Sequence, residues 1–177
     1  MSENRCGWEL SSEKMKAYHD HRWCKPEHND QELFAMLILE GAQAGLSWST
    51  IIDREENYRK AFDGFDPRIV AAYDDQKIEE LMQDKGIIRN RRKIEAAVSN
   101  AGAFLKIREE FGSFDRYIWS FTEGKTVRED DLTVTHSPLS DRISKDLKAR
   151  GMSFVGTKIV YSYLQAIGVV QQLGFLF

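Results

Sequence analysis

One glutamate in this sequence falls where a core residue is expected. Glu40 ends an apolar run that begins at Leu33. At helical spacing it shares one face with three apolar residues, Met36, Leu37 and Ala44. An ionised carboxylate is expensive to bury alone, so it needs hydrogen-bond donors, a cation or a proton. Two interpretations stay open: an arginine or backbone amides satisfy it for structural reasons, or it lines a cavity whose donors arrive with a ligand.

The segment after this carboxylate favours the ligand-binding interpretation. Its small residues, Gly41, Ala44 and Gly45, let another backbone approach closely where the helix ends. The loop that follows presents Leu46 at a tip and places Trp48 beside the carboxylate. This pair suits a flat, nitrogen-rich ring, because the acid accepts ring N–H groups while the indole stacks and favours positive charge. An alkylated nucleobase has this chemistry.

Three further aromatic residues lie in the N-terminal segment: Trp8, Tyr18 and Trp23. Taken singly, each is more often a core residue than a ligand contact. Together with Trp48 and one buried acid, they predict an aromatic pocket.

A basic turn, DKGIIRNRRK, spans residues 84–93. Gly86 permits a tight turn, and the start of the next helix offers free backbone N–H groups beside Arg89, Arg91, Arg92 and Lys93. A run of like charge is usually a solvated face. At the tip of a hairpin, however, this arrangement indicates contact with phosphates, which carries no sequence readout.

Helix signals cover most of the chain, so the predicted class is all-α, in a single domain spanning residues 1–177. The two helices around residues 75–105 form a helix-hairpin-helix. One helix is expected to carry residues 51–62, the last helix residues 159–170, and the long loop 122–138 at most a brief extended pair. The predicted helix starts are Asn29, Ser47 or Ser49, Asp66 with Pro67, Asp74 or Asp75, Arg89, Ser113, Ser140 and Gly156.

Composition narrows the functional class. A net charge of −3 argues against indiscriminate polyanion binding, although a local basic patch still suits a phosphate backbone. Two cysteines are too few for a disulfide scaffold and favour reduced thiols or metal ligands. No run approaches the roughly 20 apolar residues that cross a bilayer, and the start lacks a signal-peptide pattern. We therefore expect a cytoplasmic protein without membrane contact.

The chain resembles the type I 3-methyladenine DNA glycosylases of the helix-hairpin-helix glycosylase superfamily. The motifs that carry the resemblance are RCGW (5–8), AYHDHRW (17–23), LEGAQAGLSW (39–48), ENYRKAF (56–62), FDP (65–67), GIIRNRRKI (86–94), WSF (119–121) and SKDLKARGMSFVG (144–156). The resemblance continues into YSYLQAIG and covers nearly the whole chain in order. It implies excision of bases from double-stranded DNA that contains alkylated bases, with free 3-methyladenine as product. A monomer is expected, since such an enzyme wraps its lesion alone.

Carried over residue by residue, the resemblance assigns roles within the pocket. It implies that Glu40 and Tyr18, the catalytic residues, form hydrogen bonds with the flipped 3-methyladenine. Trp48 stacks on this base. Trp8 and Trp23 complete the aromatic wall.

The same resemblance assigns the DNA contacts. Gly45 and Leu46 are implied to lie at the gap that the flipped base leaves in the DNA. The Gly86 hairpin is implied to hold the phosphates beside the lesion. The basic residues 89–93 add charge for the same backbone.

The family's structural zinc is half missing from this sequence. Cys6 and His19 match its N-terminal ligands, but Leu173 and Phe177 stand at the other two positions and cannot ligate zinc. An alternative local set would join Cys6 and His19 to His21 and Cys24, although a His-x-His pair on a helix points its rings apart. We expect no cofactor, with apolar packing of the chain end in place of the metal. A smaller departure is Cys24, where the family commonly has glycine.

Catalysis without a dedicated acid is expected. Many helix-hairpin-helix glycosylases use an aspartate after the hairpin, but here the long helix has no acid before Glu95, and Asp115 falls in the next segment. The resemblance agrees, since the type I family lacks that aspartate. Alkylation at adenine N3 already makes the base a good leaving group, so flipping, holding and shielding it suffice. No lysine stands out as a Schiff-base nucleophile, which predicts hydrolysis without strand cleavage.

Two competing functions remain open at this point. A catalytically silent module that binds DNA or modified bases would keep the same fold, and the missing zinc ligands favour it. A purely structural helical interaction protein would use the aromatic residues as core and would have no affinity for DNA.

Overall fold

The computed structural model describes residues 12–172, which form ten α-helices and one pair of short strands. The helices are α1 (Glu13–His21), α2 (Asp30–Gln43), α3 (Trp48–Ile52), α4 (Glu55–Ala61), α5 (Pro67–Ala71), α6 (Asp75–Gln83), α7 (Arg91–Phe111), α8 (Phe114–Ser120), α9 (Pro138–Ala149) and α10 (Thr157–Ala166). A 3-10 turn covers Asp63–Phe65, and the strands are β1 (Val127–Glu129) and β2 (Val170–Gln172). The all-α class is confirmed. None of the helices in this range is long and apolar enough to cross a membrane.

Side-chain caps define where many of these helices begin. Five predicted starts are confirmed as caps: Asn29, Ser47, Asp66, Asp74 and Ser113. In each, a side-chain oxygen accepts a backbone N–H that the first turn leaves unpaired. In α2, for example, Asn29 Oδ1 accepts the N–H of Glu32 at 3.1 Å. Local chemistry therefore determines the start of the helix that carries Glu40.

The prediction of one helix over residues 51–62 is wrong. Two helices, α3 and α4, meet at Asp53 and Arg54. Glu55, the first residue of α4, forms an ion pair with Arg22 at 2.6 Å and a second with Arg59 at 3.2 Å. The break between α3 and α4 therefore coincides with a tertiary ion-pair network, which no local sequence pattern predicts.

Two other predicted starts are shifted by a few residues. α7 does not start at Arg89, because Asn90 is its cap and accepts a backbone N–H of the first turn at 3.2 Å. α9 begins at Pro138 rather than at Ser140. The Ser137 side chain accepts the Ser140 N–H at 3.2 Å, and the Ser140 hydroxyl accepts the Ser137 N–H at 2.8 Å. Ser140 is thus the inner half of a capping box.

The last helix ends earlier than predicted. α10 stops at Ala166, and Val170 instead begins β2, which pairs in parallel with β1 in the register Val127 to Val170. Gly168 turns the chain between them with φ +80°, and a Cβ there would lie 2.5 Å from the backbone nitrogen of Pro26. The extended pair predicted inside loop 122–138 therefore forms between that loop and β2.

The central position predicted for α2 is confirmed. Residues 33–39 of this helix are all buried. The Tyr163 hydroxyl of α10 donates to the carbonyl of Leu33 at 2.8 Å. The ring of Phe34 lies 5.1 Å from that of Phe104 on α7. Helices α7 and α10 therefore pack against α2 and hold the helix that carries Glu40 in place.

Candidate active site

Glu40 is buried in the last turn of the central helix, with 4% of its surface exposed. Within residues 12–172 no group donates a hydrogen bond to its carboxyl and no cation pairs with it. Burial raises the pKa of Glu40 to about 8. The side chain therefore holds a proton at neutral pH. A proton, rather than hydrogen-bond donors or a cation, is what makes its burial tolerable.

A cavity of about 170 Å³ opens beside Glu40. The side chains that line it are Trp23, Glu40, Gln43, Trp48, Ser162 and Gln165. Two indoles thus share a wall with a carboxyl group that has no donor in the described chain. This combination matches the predicted pocket for a flat, nitrogen-rich ring.

Tyr18 is not part of the cavity wall but packs against it. Its ring centroid lies 5.6 Å from that of Trp48, with the planes tilted by 56°. Burial raises the pKa of Tyr18, and the nearby Glu40 adds to the rise. The Arg22 guanidinium lies 5.2 Å from the Tyr18 ring centroid. The two residues expected to bind the base are therefore electrostatic neighbours, while Trp8 lies outside the described residues.

The loop after α2 differs from expectation in one respect. Gly45 is exposed, and nothing lies within 4 Å of the position its Cβ would take. At Gly41 an added Cβ would lie 3.6 Å from Phe154, which is ordinary contact. The backbone of Phe154 does pass Gly41, with its carbonyl oxygen 3.8 Å from that Cβ position, but neither glycine is needed for a tight approach. Gly45 is needed for its φ of +79°, a conformation that turns the chain toward the half-buried Leu46.

Residues 84–90 connect α6 to α7 in a tight turn. The Gly86 N–H donates to the Asp84 carboxylate at 2.8 Å, and a Cβ on Gly86 would lie 3.0 Å from Asn57. In the described chain the backbone N–H groups of Ile87 and Arg89 have no acceptor. Free amides on a glycine turn are suited to phosphate oxygens.

The four basic residues after this turn are not equivalent. Arg89 and Arg92 are exposed and have no acidic partner among the described residues. Arg91 pairs with Glu79 and lies 3.8 Å from Glu95. The fourth residue, Lys93, donates to the backbone carbonyls of Ala42 and Ala44. Only two of the four are therefore uncommitted.

Comparison with known proteins identifies the family of this chain. The sequence profile described as methyladenine glycosylase matches residues 8–173. The chain belongs to the methyladenine glycosylase family. DNA-3-methyladenine glycosylase 1 of Escherichia coli (strain K12) is 45% identical over 170 residues, which cover 94% of this chain and 91% of the relative. The resemblance found in the sequence is confirmed, and with it the expectation of an enzyme.

Two further relatives support the same family. DNA-3-methyladenine glycosylase of Haemophilus influenzae (strain ATCC 51907 / DSM 11121 / KW20 / Rd) is 41% identical over 170 residues, covering 94% of this chain and 92% of the relative. The crystal structure of a variant 3-methyladenine DNA glycosylase I in complex with 3-methyladenine superposes with a TM-score of 0.90. That protein is 36% identical, and the match covers 95% of this chain and 92% of the other.

The zinc site implied by membership of the methyladenine glycosylase family does not fit the residues of this chain. Leu173 and Phe177, which fall at two ligand positions and outside the described residues, carry no donor atom. His19 is buried, with Nδ1 3.1 Å from the Asp20 carboxylate. His21, the second histidine of the alternative set, is exposed. The residues of the structure contain no group of three metal-ligating side chains. We therefore assign no role to a metal.

Cys24, a member of the alternative metal set, lies in the core. Its Sγ is buried and lies 3.5 Å from the carbonyl oxygen of Val170, and burial raises the pKa of the thiol to about 11. Cys24 has a φ of 60°, in the left-handed region that favours glycine. This conformation suits the glycine that the resemblance implies at this position.

Three residues of the cavity wall were not predicted. Gln43 lies one turn after Glu40 on α2, while Ser162 and Gln165 lie one turn apart on α10. The spacing of three residues was visible in the sequence, as was the polarity of these two positions within the largely apolar residues 159–166. What no local pattern showed is that α10 faces the end of α2.

Proposed function

We propose that this protein excises 3-methyladenine from alkylated double-stranded DNA by hydrolysis and leaves an abasic site. The observation that carries the proposal is the buried Glu40 carboxyl, which lacks a donor in the described chain and adjoins a cavity lined by Trp23 and Trp48. The complex of a related glycosylase with 3-methyladenine supports it. We further propose that the enzyme acts as a monomer in the cytoplasm.

Base recognition rests on a change in the ionisation of Glu40, which carries a proton in the free enzyme. Once ionised, the carboxylate only accepts hydrogen bonds, so it pairs with N–H groups of the base and not with an unprotonated ring nitrogen. A cationic base stacked on Trp48 favours the ionised carboxylate, which then holds the positive charge. Neutral adenine supplies no such charge, so it leaves the buried groups poorly matched. Tyr18 contributes the second polar contact, and Trp8 with Trp23 the remaining aromatic surface.

Bond cleavage needs little help from the protein once the base is held. The C1′–N9 bond breaks with its electron pair leaving on the base, which becomes neutral 3-methyladenine. Water then bonds to C1′ and loses a proton. The neutral product no longer favours an ionised Glu40, so reprotonation of the carboxyl assists its release. No lysine lines this cavity in the described chain, which agrees with hydrolysis without a lyase step.

The DNA backbone is held beside the pocket. Leu46, at the tip of the loop that Gly45 turns, occupies the gap left by the flipped base. The free N–H groups of the Gly86 turn hold phosphates, and Arg89 and Arg92 add unpaired positive charge. Because these contacts are made to the DNA backbone, the enzyme binds DNA of any sequence, and only the cavity distinguishes the flipped base.

The test is base release from methylated duplex DNA, with products resolved by chromatography and the strands examined for nicks. We expect free 3-methyladenine, intact strands that break only after alkali, and no base from unmethylated DNA. Binding of methylated DNA without release of any base would contradict catalysis and identify a silent binding module. Absence of both release and DNA binding would favour a structural protein instead.

A further inference from the structure

The ammonium of Lys93 closes the end of helix α2. Its Nζ donates to the carbonyl oxygens of Ala42 at 2.9 Å and Ala44 at 2.5 Å. Both lie at the C-terminus of α2, where the last carbonyls lack intrahelical partners. Because α2 has no basic residue in its own last turn, α7 supplies the cation that the negative end of the helix attracts.

This arrangement separates Lys93 from its basic neighbours. Arg89 and Arg92 are exposed and meet no carboxylate within the described range, whereas Lys93 is half-buried. Burial also lowers the pKa of Lys93. An ammonium has three N–H donors, and two of these already reach carbonyl oxygens. Lys93 is therefore engaged inside the protein and is a poor phosphate contact.

The two carbonyls connect Lys93 to both parts of the site. Ala42 follows Glu40 by two residues on the same helix, and Ala44 precedes Leu46 by two residues. Lys93 itself stands in the first turn of α7, immediately after the phosphate-binding turn. One side chain therefore joins the DNA-holding element to the pocket acid and to the loop tip.

We propose that Lys93 is a positioning residue for base excision. It holds the wedge loop, residues 44–47, and Glu40 at a fixed distance from the hairpin, so that base, gap and phosphates are engaged together. The inference rests on the proposed function. A misplacement of about 1 Å in such a site is enough to slow a reaction by on the order of 100-fold.

The test uses two methionine substitutions. Lys93→Met keeps the length of the side chain but removes its donors, and Arg92→Met makes the matched change at an exposed cation. Each variant is compared with wild type in single-turnover release of 3-methyladenine from duplex DNA at saturating enzyme. Affinity for a duplex with a stable abasic-site analogue is measured over a range of salt concentrations. Binding of free 3-methyladenine is measured by tryptophan fluorescence.

The two variants are expected to fail in different ways. Lys93→Met slows single-turnover release by about 10-fold to 100-fold, yet keeps the wild-type salt slope and binding of the free base. Arg92→Met, which removes a proposed phosphate contact, lowers the magnitude of the slope of log affinity against log salt by about one. Lys93→Arg, which restores donors, recovers much of the rate.

Three outcomes overturn the inference. A salt slope that falls in Lys93→Met as in Arg92→Met shows a phosphate contact, and an unchanged release rate shows that positioning is not needed. A Lys93→Arg variant that has a native melting curve but releases the base as slowly as Lys93→Met also contradicts the positioning role. If Lys93→Met does not fold, Lys93→Gln takes its place in the same measurements. Wild type that binds DNA but releases no base refutes the proposed function instead, which separates the two failures.

Discussion

The hydroxyl of Tyr58 accepts the backbone N–H of Ile88 at 3.1 Å. Tyr58 is buried on α4, and Ile88 lies in the turn between α6 and α7, two residues after Gly86. The Gly86 amide is bonded within the turn, as is that of Asn90, which donates to the Ile88 carbonyl at 3.0 Å. A core side chain thus fixes the shape in which the amides of residues 87 and 89 stay free for phosphates.

Tyr58→Phe removes that anchor. The Ile88 N–H loses its partner, so we expect the free energy of unfolding to fall by about 1–3 kcal/mol and affinity for abasic-analogue DNA to fall with it. Tyr161→Phe is the control, because its hydroxyl meets Gln172 at 3.1 Å, far along the chain from the turn. It should lose stability but not DNA affinity. Urea unfolding and DNA titration check both, and a Tyr58→Phe variant that binds DNA as tightly as wild type contradicts the assignment.

Gly45→Ala tests the geometry of the wedge loop. Nothing lies near the new methyl group, so its cost comes from the φ of +79° alone, about 1–2 kcal/mol for an L-residue. Gly102→Ala also enters open space, but in helix α7, where alanine should stabilise by about 1 kcal/mol. Thermal unfolding measures both. The idea fails if the two substitutions shift stability in the same direction.

The proton on Glu40 predicts how stability depends on pH. Its pKa rises from the usual 4.5 to about 8 in the folded chain. Between these values the folded state binds more protons than the unfolded state, so this group's contribution to stability is lost as pH rises toward 8. Glu40→Gln does not titrate, and we expect its stability relative to wild type to increase by about 2 kcal/mol from pH 6 to pH 8. Urea unfolding at each pH measures this, and parallel profiles would show that Glu40 is ionised throughout.

Helix starts were accessible from sequence because a cap is a local interaction. Asn29, Asp66 and Asp74 each bond an amide two or three residues away. Breaks and ends were less accessible, since they depend on distant partners. The α3–α4 break lies beside the Arg22–Glu55 ion pair, which no spacing rule anticipates.

The same distinction applies to the site. Glu40 and Trp48 could be predicted because a buried acid and a following tryptophan stand eight residues apart in one motif. Gln165 could not, since α10 reaches the cavity only through the packing of the whole core. The engagement of Lys93 was missed for a similar reason, because its carbonyl partners lie 51 and 49 residues earlier. Sequence distinguishes which residues carry charge, and the fold determines which charges are already satisfied.

The most direct measurement of the central claim is the single-turnover rate of 3-methyladenine release from methylated duplex DNA by wild type and Glu40→Gln. Glu95→Gln, at an exposed acid of α7, is the matched control. The proposed role of Glu40 predicts a loss of about 100-fold or more in Glu40→Gln, with a native melting curve, and a wild-type rate in Glu95→Gln. A folded Glu40→Gln enzyme that releases 3-methyladenine as fast as wild type would contradict it.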